Sequence, residues 1–305
     1  MGLLKRLLSP FKPVLVPLWN GAHLAGWWIA EHGDAVAHGR REVCIVCGRR
    51  AWMLLQKRAI PPRLVELWGL TPRQALALAR KETLTCTNCG SRFRSRRIAQ
   101  ILLEIYPAGH SPNQAESIAS WTHSKEVKSL HIAEFNKIDG LHEQLLALPS
   151  LQYSEFVEGG EPGKLIEGVR CEDLTRLTYP DASFDLVLSS ETLEHVPDLH
   201  HALREVHRIL KPGGIHIFTI PRLPGTRQTH ARATLAANGT IRAVACPLLH
   251  HPGGDVGYLV FTEFGADLKE ILEAAGFEAH ERFGPLSDDD FCQVWITSKP
   301  ITIEL

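Results

Sequence analysis

Residues 168–221 read GVRCEDLTRLTYPDASFDLVLSSETLEHVPDLHHALREVHRILKPGGIHIFTIP, and this stretch decides the fold. The segment Phe184–Ser190 is almost wholly apolar, which is typical of a parallel strand that is covered on both faces. Residues His200–Leu210 carry apolar side chains at helical spacing. A Lys-Pro-Gly-Gly turn then leads into a second apolar strand, Ile215–Ile220. The pattern predicts half of an open α/β sheet, in which ligands bind beyond the carboxyl ends of the strands.

The same alternation of strands and helices runs from Val127 to the end of the chain. We predict seven strands, at 127–135, 152–158, 168–174, 184–191, 213–221, 278–283 and 291–300. Helices are predicted at 141–148, 200–210 and 261–277, and an Asn238-Gly239 pair predicts a hairpin within an insertion at 222–257. Residues 127–305 are therefore expected to form an α/β domain.

Several short motifs occur in one order within this domain. They are Asp173-Leu174, Asp181-x-Ser183-Phe184-Asp185, Leu193-Glu194-His195-Val196 and Leu210-Lys211-Pro212-Gly213-Gly214. Together they resemble class I S-adenosylmethionine (SAM)-dependent methyltransferases of the type 11 kind. The resemblance implies a Rossmann-like methyltransferase sheet of seven strands, in which the last strand is antiparallel, and a SAM-dependent methyl transfer.

The resemblance also implies which residues bind SAM. Glu155 is expected to accept from the ribose hydroxyls; the alternative is Glu158, which lies three residues on and points to the other face of the strand. Asp173 is expected to accept from the adenine amino group, with Leu174 beside the ring; the alternative is an aspartate that caps a turn. Ser190 lies at the end of the fourth strand, where the cofactor would pass.

The first loop departs from the family pattern, acid-x-Gly-x-Gly-x-Gly. Here it reads Glu134-Phe135-Asn136-Lys137-Ile138-Asp139-Gly140, and Glu134, Asn136 and Gly140 are the candidate cofactor residues. An isoleucine in the left-handed conformation costs roughly 1–2 kcal/mol. Three outcomes stay open: the loop follows another path, the cofactor binds weakly, or the domain binds none.

The loop after the fourth strand carries the candidate catalytic residues Glu191, Glu194 and His195. An oxygen acceptor needs a general base near neutral pH, which suits histidine; the alternative is that Glu194 and His195 tie the loop to the next helix. The insertion is expected to cover the pocket that binds the acceptor. Its arginines and histidines would suit an anionic or glycan-type acceptor, or in the alternative are polar residues on the surface of a hairpin: Arg222, Arg227, His230, Arg232, His250 and His251. The segment His251–Phe264 resembles a family segment before the last long helix, and its glycines suggest a tight loop near the acceptor, with Asp255 and Tyr258 as candidates.

Two Cys-x-x-Cys-Gly motifs precede the α/β domain. Cys44, Cys47, Cys86 and Cys89 offer four soft ligands, which predicts a closed, structural zinc site of the zinc-ribbon kind. The alternative is two unrelated redox or free-thiol pairs. Arginines follow both motifs, at 49, 50, 92, 94, 96 and 97. They form either a phosphate- or nucleic-acid-binding face or a set of solvated side chains and ion pairs to the α/β domain.

These motifs divide the chain into four parts. We predict an N-terminal arm at 1–41, a zinc-ribbon-like module at 42–106 with a helix over 62–81, a linker at 107–126 and the α/β domain at 127–305. The arm carries Trp19, Trp27 and Trp28. They are expected to pack on the rest of the protein, or in the alternative to contact a membrane surface or a protein partner.

Net charge, the N-terminal sequence and the number of cysteines together argue against several classes of protein. The formal net charge is −1, so no global field directs the chain to nucleic acid or membrane. Prolines interrupt the apolar N-terminus, position 6 is Arg6, and no apolar run approaches the ~20 residues of a membrane span, so we predict no signal peptide, no myristoylation and no span. The odd count of seven cysteines then favours a reducing, cytoplasmic compartment.

The leading functional hypothesis is a SAM-dependent methyltransferase that acts on a small-molecule or glycan-type acceptor, at oxygen. The alternative is a catalytically silent methyltransferase fold that uses the zinc module to contact RNA or a protein. Base N-methylation of nucleic acid is disfavoured, because SSETLEHV lacks the Asn/Asp-Pro-Pro-Tyr/Phe signature after the fourth strand.

Overall fold

The computed structural model describes residues 40–56, 59–107, 117–236, 238–251 and 257–301. The predicted N-terminal arm up to residue 39, with its tryptophans, and Asp255 of the insertion lie outside the described residues.

The cysteine-rich region is a small antiparallel sheet joined to three helices. Its strands are β1 (Arg40–Val43), β2 (Arg50–Leu54) and β3 (Thr85–Cys86), in the order β1-β2-β3. The helices are α1 (Pro62–Leu67), α2 (Pro72–Thr83) and α3 (Phe93–Ile105). The single helix predicted over 62–81 is therefore two helices, because Gly69 turns the chain at φ 58°. The predicted start at Thr71-Pro72 is confirmed, and Thr71 forms a capping box with Gln74.

The large sheet has the predicted seven strands and one short addition. The seven are β4 (Ile132–Phe135), β5 (Leu151–Glu155), β7 (Val169–Cys171), β8 (Phe184–Ser190), β9 (Leu210–Thr219), β16 (Glu278–Arg282) and β17 (Val294–Ser298). The added strand, β6 (Leu165–Ile166), pairs antiparallel with β7 at one edge. The order is β16-β17-β9-β8-β4-β5-β7-β6, and β17 is antiparallel to both of its neighbours. This confirms a mixed α/β sheet of the Rossmann-like kind.

Helices precede or connect these strands. They are α4 (Ile118–Trp121), α5 (Lys125–Lys128), α6 (Asp139–Leu145), α7 (Leu199–Ile209), α8 (Leu268–Ala274) and a 3-10 turn at Leu193–His195. The helix predicted at 261–277 begins later than expected, at Leu268. The reason is that Thr262–Glu263 forms strand β15 against β10 (His230–Ala231) in the insertion.

The described residues of the insertion, together with residues 258–263 that follow it, form three small antiparallel pairs. β10 pairs with β15, β11 (Ala233–Leu235) with β12 (Ile241–Ala243), and β13 (His250–His251) with β14 (Tyr258–Leu259). The hairpin predicted from Asn238-Gly239 is confirmed as the β11–β12 connection, where Asn238 Oδ1 accepts from the Thr240 backbone N–H at 3.1 Å.

Two hydrophobic clusters cover the two faces of the large sheet. Alternate residues of one strand point to opposite faces, so Leu186 and Leu188 join one cluster while Val187 joins the other. The second cluster also takes in α7 and α8. The first takes in Cys44, Val46 and Cys86 together with α3, so the cysteine-rich region and the sheet share one core.

The segment predicted as a linker is described from residue 117 onward. It forms α4 and the start of α5, and Ile118 and Trp121 are fully buried in the first cluster. The Trp121 indole donates to the Tyr106 carbonyl at 2.8 Å. The domain boundaries themselves stay a prediction. No helix among the described residues is both long enough and apolar enough to cross a membrane.

Acid should destabilise the fold partly through His216, which is buried in β9. Burial lowers the pKa of His216 to about 3, and its Nε2 lies 2.9 Å from Ser189 Oγ. At a pH between 6.5, the ordinary pKa, and about 3, His216 is therefore protonated in the unfolded chain but neutral in the folded chain. Stability is lost as the pH falls through this window, by about 2 kcal/mol between pH 7 and pH 5 from this residue. Urea unfolding of His216→Gln should show a smaller loss over this range.

The exposed His280 of β16 provides the control. His280→Gln should unfold with the pH dependence of the wild type. Identical pH dependence in the wild type and both variants would contradict the role given to His216.

Candidate cofactor and acceptor site

Four adjacent strands end at one edge of the large sheet, and the predicted site residues follow them. β4, β5, β7 and β8 are parallel, so their carboxyl ends lie together. The predicted residues at or just beyond these ends are Glu134, Asn136, Gly140, Glu155, Asp173, Leu174, Ser190, Glu191, Glu194 and His195. The sheet thus brings to one edge side chains that are far apart in the sequence.

The first loop follows a path without the missing glycines. Asn136 at φ 62° and Asp139 at φ 35° take the left-handed turns, while Ile138 keeps φ at −89°. Asparagine and aspartate tolerate this conformation better than other side chains. The sequence left three outcomes open for this loop, and the structure shows the first of them: the loop follows a different path from that of the family pattern.

The carboxylate of Glu134, at the end of β4, is bonded to groups inside the protein. It is fully buried; Oε1 accepts from the Ile138 backbone N–H at 3.0 Å, and Oε2 lies 2.7 Å from His142 Nδ1. Both oxygens therefore hold the loop and the first turn of α6. Glu134 shapes the site rather than presenting a free carboxylate to it.

Gly140 is required by a close approach of the second cysteine motif. A Cβ atom there would lie 2.1 Å from the Cys89 carbonyl oxygen and 2.6 Å from the Ser91 nitrogen. The Arg92 backbone N–H donates to Asp139 Oδ2 at 3.3 Å. The cysteine-rich region therefore rests directly on the loop where the family pattern would place the methionine part of SAM.

Glu155 ends β5 with part of its carboxylate available. Its Oε1 accepts from the Tyr153 hydroxyl, and the Tyr153 ring lies against His142 with centroids 4.4 Å apart. No hydrogen bond joins Oε2 to any described residue. The position suits an acceptor for ribose hydroxyls.

Asp173 forms a turn just beyond β7. Its Oδ1 accepts from the Thr175 backbone N–H at 2.9 Å and from Thr175 Oγ1 at 2.7 Å. Its Oδ2 lies 3.2 Å from Nε of the exposed Arg176. The turn-capping role is thus present, and among the described residues only the exposed Arg176 contacts Oδ2. Leu174 is buried beside it in the second cluster.

Glu191, at the end of β8, pairs with a lysine from the cysteine-rich region. Lys81 of α2 is 1% exposed, and its Nζ lies 2.9 Å from Glu191 Oε2 and 3.0 Å from the Ile220 carbonyl oxygen. Burial disfavours the charge on Lys81, but Glu191 and Glu82 outweigh it, so the pKa of Lys81 lies above its usual value. Nearby, Ser190 Oγ shares a hydrogen bond of 2.8 Å with Thr219.

Glu194 lies between two imidazoles. His195 Nε2 and His251 Nδ1 are each 3.5 Å from Glu194 Oε1, and Glu194 is fully buried. His195 Nδ1 lies 2.8 Å from the Leu259 carbonyl oxygen, to which it donates. Both nitrogens of His195 therefore face the protein, and the bond to Leu259 ties the loop to β14 rather than to the next helix.

His251 completes this cluster from the insertion. Burial opposes its charge, but Glu194 outweighs the effect and raises the pKa of His251 above its ordinary value. No hydrogen bond to a described residue engages its Nε2. The ligand atoms of Glu194, His195 and His251 lie within 4.8 Å of one another, so the cluster can share protons or ligate a divalent cation.

Most cations predicted to recognise an acceptor are paired within the protein. Arg222 lies 3.8 Å from Glu281, while Arg232 and His230 lie 3.2 and 2.9 Å from Glu263. The insertion therefore offers less free positive charge than its sequence suggests. Tyr258 is exposed, with its ring 5.8 Å from that of His195.

The four predicted metal ligands come together. The sulfur atoms of Cys44, Cys47, Cys86 and Cys89 lie within 4.8 Å of one another, and Cys44 and Cys89 are 3.8 Å apart. Tetrahedral zinc with bonds of ~2.3 Å needs sulfur separations of about 3.8 Å. Asn88 Nδ2 donates to Cys47 at 3.3 Å, and Ser91 Oγ lies 3.2 Å from the Cys89 sulfur. The donor set and its surrounding groups fit a closed zinc site.

The arginines after the second motif are mostly engaged with the protein. Arg94 pairs with Glu82, Arg97 with Asp290, and Arg96 donates to the Leu84 and Ser91 carbonyl oxygens. This agrees with the ion-pair interpretation rather than with an open nucleic-acid face.

Sequence reasoning missed Lys81 and placed His251 only in a general list. The signal for Lys81 was present, since it shares a helix face with the buried Leu78. A buried lysine needs a partner, but the partner is 110 residues away in the sequence, which periodicity cannot reveal.

Comparison with known proteins supports the family resemblance over part of the chain. A family model described as a methyltransferase domain matches residues 152–218. A 27-O-demethylrifamycin SV methyltransferase of Amycolatopsis mediterranei (strain S699) is 52% identical over 120 residues, 38% of this chain and 43% of the relative. A probable S-adenosylmethionine-dependent methyltransferase of Mycolicibacterium smegmatis (strain ATCC 700084 / mc(2)155) is 29% identical over 119 residues, 38% of this chain and 37% of the relative. The chain thus spans less than half the length of these relatives.

Solved structures give a limited likeness. A SAM-dependent methyltransferase from Mesorhizobium loti has 19% identity and a TM-score of 0.36, covering 55% of this chain and 90% of its own. CalS10, described as an amino pentose methyltransferase from Micromonospora echinaspora, has 16% identity and a TM-score of 0.34, covering 55% and 82%.

Proposed function

We propose that this protein is a SAM-dependent methyltransferase that acts on a small-molecule or glycan-type acceptor at oxygen. The observation that carries the proposal is the edge formed by β4, β5, β7 and β8. There, Glu155 and Asp173 follow adjacent parallel strands, at the positions suited to ribose and adenine. The matched methyltransferase-domain segment, 152–218, contains both residues.

The names of relatives support methyl transfer, and they include transfer both to oxygen and to carbon. The Amycolatopsis relative is named for methylation of an oxygen, and the Mycolicibacterium relative for SAM dependence. Because each relative matches only 38% of this chain, its name supports a proposal about the whole protein and does not by itself establish the activity.

Bound SAM would supply an electrophilic methyl group, and the protein's task is to position the acceptor and remove its proton. Glu194 and His251 form a carboxylate–imidazole pair beyond the end of β8. With Nδ1 facing Glu194, the other nitrogen of His251 is free to take a proton from an acceptor hydroxyl. His195 Nε2 lies 3.5 Å from the same oxygen of Glu194. Glu191, paired with Lys81, completes the polar end of this strand.

The four cysteines are proposed to hold one structural zinc ion. All four ligand positions of the ion would be filled by thiolates, so it would stabilise the fold and take no part in the reaction.

Incubation with trideuteromethyl-labelled SAM and small-molecule extracts tests the reaction. We expect at least one metabolite to gain a trideuteromethyl group only when the active protein is present, and mass fragmentation should place it on oxygen. Label on nitrogen or carbon would contradict oxygen transfer. Binding of SAM with no labelled product across lipid, glycan and polar extracts would favour the silent-fold alternative.

Asp173→Ala should weaken SAM binding at least tenfold, about 1.4 kcal/mol. The variant removes the acceptor for the adenine amino group, but it also removes the turn formed with Thr175. Thr175→Val is the matched control, because it deletes the hydroxyl donor to Asp173 and keeps the carboxylate. Calorimetric titration should give this control an affinity within about threefold of the wild type. Equal losses in both variants would assign the effect to the turn.

A further inference from the structure

The cysteine-rich region replaces the missing glycine loop at the cofactor site. The Cys89–Ser91 backbone lies against Gly140, and the Arg92 backbone is bonded to Asp139. No space remains at Gly140 for a ligand to approach the backbone from this side. The groups that meet a ligand beside the loop must therefore include those that follow Cys89.

A cavity of about 240 Å³ opens beside the loop, at the carboxyl ends of β4 and β8. Its lining residues are Arg92, Arg94, Lys137, Ile138, Asp139 and Ser190. Three of the six are cations and one is a carboxylate. Such a cavity is complementary to a small group that carries both charges, with the negative charge nearest the arginines.

The polar groups of this cavity keep unused bonding capacity. The Arg94 side chain is 13% exposed, and among the described residues only Glu82 pairs with it, through one terminal nitrogen. The Arg92 side chain has no hydrogen bond or ion pair to any described residue. Asp139 Oδ1 is buried and lacks a partner within the described part of the chain. The guanidinium groups of Arg92 and Arg94 and the side chain of Asp139 thus line one small space.

An α-amino acid end is the ligand group that matches these donors and this acceptor. Its carboxylate accepts from guanidinium groups, and its ammonium donates to a carboxylate oxygen. The methionine part of SAM ends in this group, and the first loop is where the fold brings it. A phosphate would match the arginines but would be repelled by Asp139.

We propose that Arg92 and Arg94 bind the carboxylate of the methionine part of SAM and that Asp139 binds its ammonium group. The inference rests on the proposed function and deepens it. The cysteine-rich region then supplies part of the cofactor site, in place of the glycine backbone that the sequence lacks. Because both arginines directly follow the Cys89 motif, the metal site also positions them.

Three probes separate the groups of the ligand. S-adenosylhomocysteine carries carboxylate and ammonium, its decarboxylated analogue carries ammonium alone, and 5′-methylthioadenosine carries neither. Calorimetry with the full-length, zinc-loaded protein would give the three affinities. The wild type should bind S-adenosylhomocysteine at least tenfold more tightly than 5′-methylthioadenosine.

The variants should discriminate among the probes. Arg92→Gln/Arg94→Gln should weaken S-adenosylhomocysteine at least tenfold and leave the other two probes within about twofold. Asp139→Asn, which tolerates the left-handed backbone, should weaken the two probes that carry ammonium and spare 5′-methylthioadenosine. Arg49→Gln, an exposed arginine after the first motif, should change none of them.

Unchanged affinity for 5′-methylthioadenosine also shows that each variant is folded. The single variant Arg92→Gln provides a second test, because the Arg92 side chain makes no hydrogen bond or ion pair to a described residue that the substitution could break. Equal weakening of all three probes, or wild-type binding of S-adenosylhomocysteine by the double variant, would overturn this inference and leave the proposed function standing. If the wild type binds none of the probes, the proposed function fails, and this inference fails with it.

Discussion

Replacing Cys44 with serine is expected to abolish zinc binding and lower the melting temperature by about 10 °C or more. Structural zinc sites contribute an apparent ~10–16 kcal/mol of binding free energy in small zinc domains, comparable to the whole stability of a typical protein. Cys44 is fully buried and belongs to the same hydrophobic cluster as α3 and the large sheet. Loss of the metal should therefore weaken the sheet as well as the motif.

Metal analysis and differential scanning fluorimetry would measure both effects. We expect about one zinc per chain in wild-type protein prepared without chelators. Cys246→Ser is the control, because Cys246 is exposed and lies outside the four-cysteine cluster, and it should keep both the zinc and the melting temperature. Wild-type protein without zinc, or a Cys44→Ser variant with full zinc and an unchanged melting temperature, would contradict the site.

Lys81→Met is expected to lower the free energy of unfolding by about 3–5 kcal/mol. The change removes the ion-pair partner of the largely buried Glu191, and Glu191 Oε1 already lacks a hydrogen-bond partner among the described residues. It also leaves the Ile220 carbonyl oxygen without its donor. The loss of stability thus comes from Glu191 and the Ile220 carbonyl oxygen, which both lose their partner, rather than from the lysine itself.

A double variant separates these contributions. Lys81→Met/Glu191→Gln removes both charges, so it should recover at least half of the lost stability in urea unfolding. Lys269→Met is the matched control, since Lys269 is half exposed and lies 3.6 Å from Glu273 in a surface pair, and it should change stability by less than about 0.5 kcal/mol. A double variant no more stable than Lys81→Met would show that the two residues are not coupled.

Local patterns in the sequence were sufficient for the seven main strands of the sheet and for the helices α6 and α7. The apolar run Phe184–Ser190 predicted a central strand, and alternation of its residues between two buried faces explains why the pattern is so clear. Thr71-Pro72 predicted a helix start because capping depends on residues three positions apart. These features depend on neighbours in the sequence, which is why they could be predicted.

The arrangement of the candidate site depends on contacts that no local pattern contains. Gly140 was assigned to the cofactor because the family pattern has a glycine there, whereas the structure shows Cys89 pressed against it. His251 reaches Glu194 from an insertion, across 57 residues of chain. The spacing of the four cysteines, in contrast, was enough to predict their meeting, since one tetrahedral ion needs all four.

Titration of the purified, zinc-loaded protein with S-adenosylhomocysteine tests the central claim most directly. We predict saturable binding of about one ligand per chain, competed by SAM and weakened by Asp173→Ala. Absence of binding heat, together with no competition between SAM and a fluorescent adenosine analogue, would contradict the assignment of this edge of the sheet to SAM.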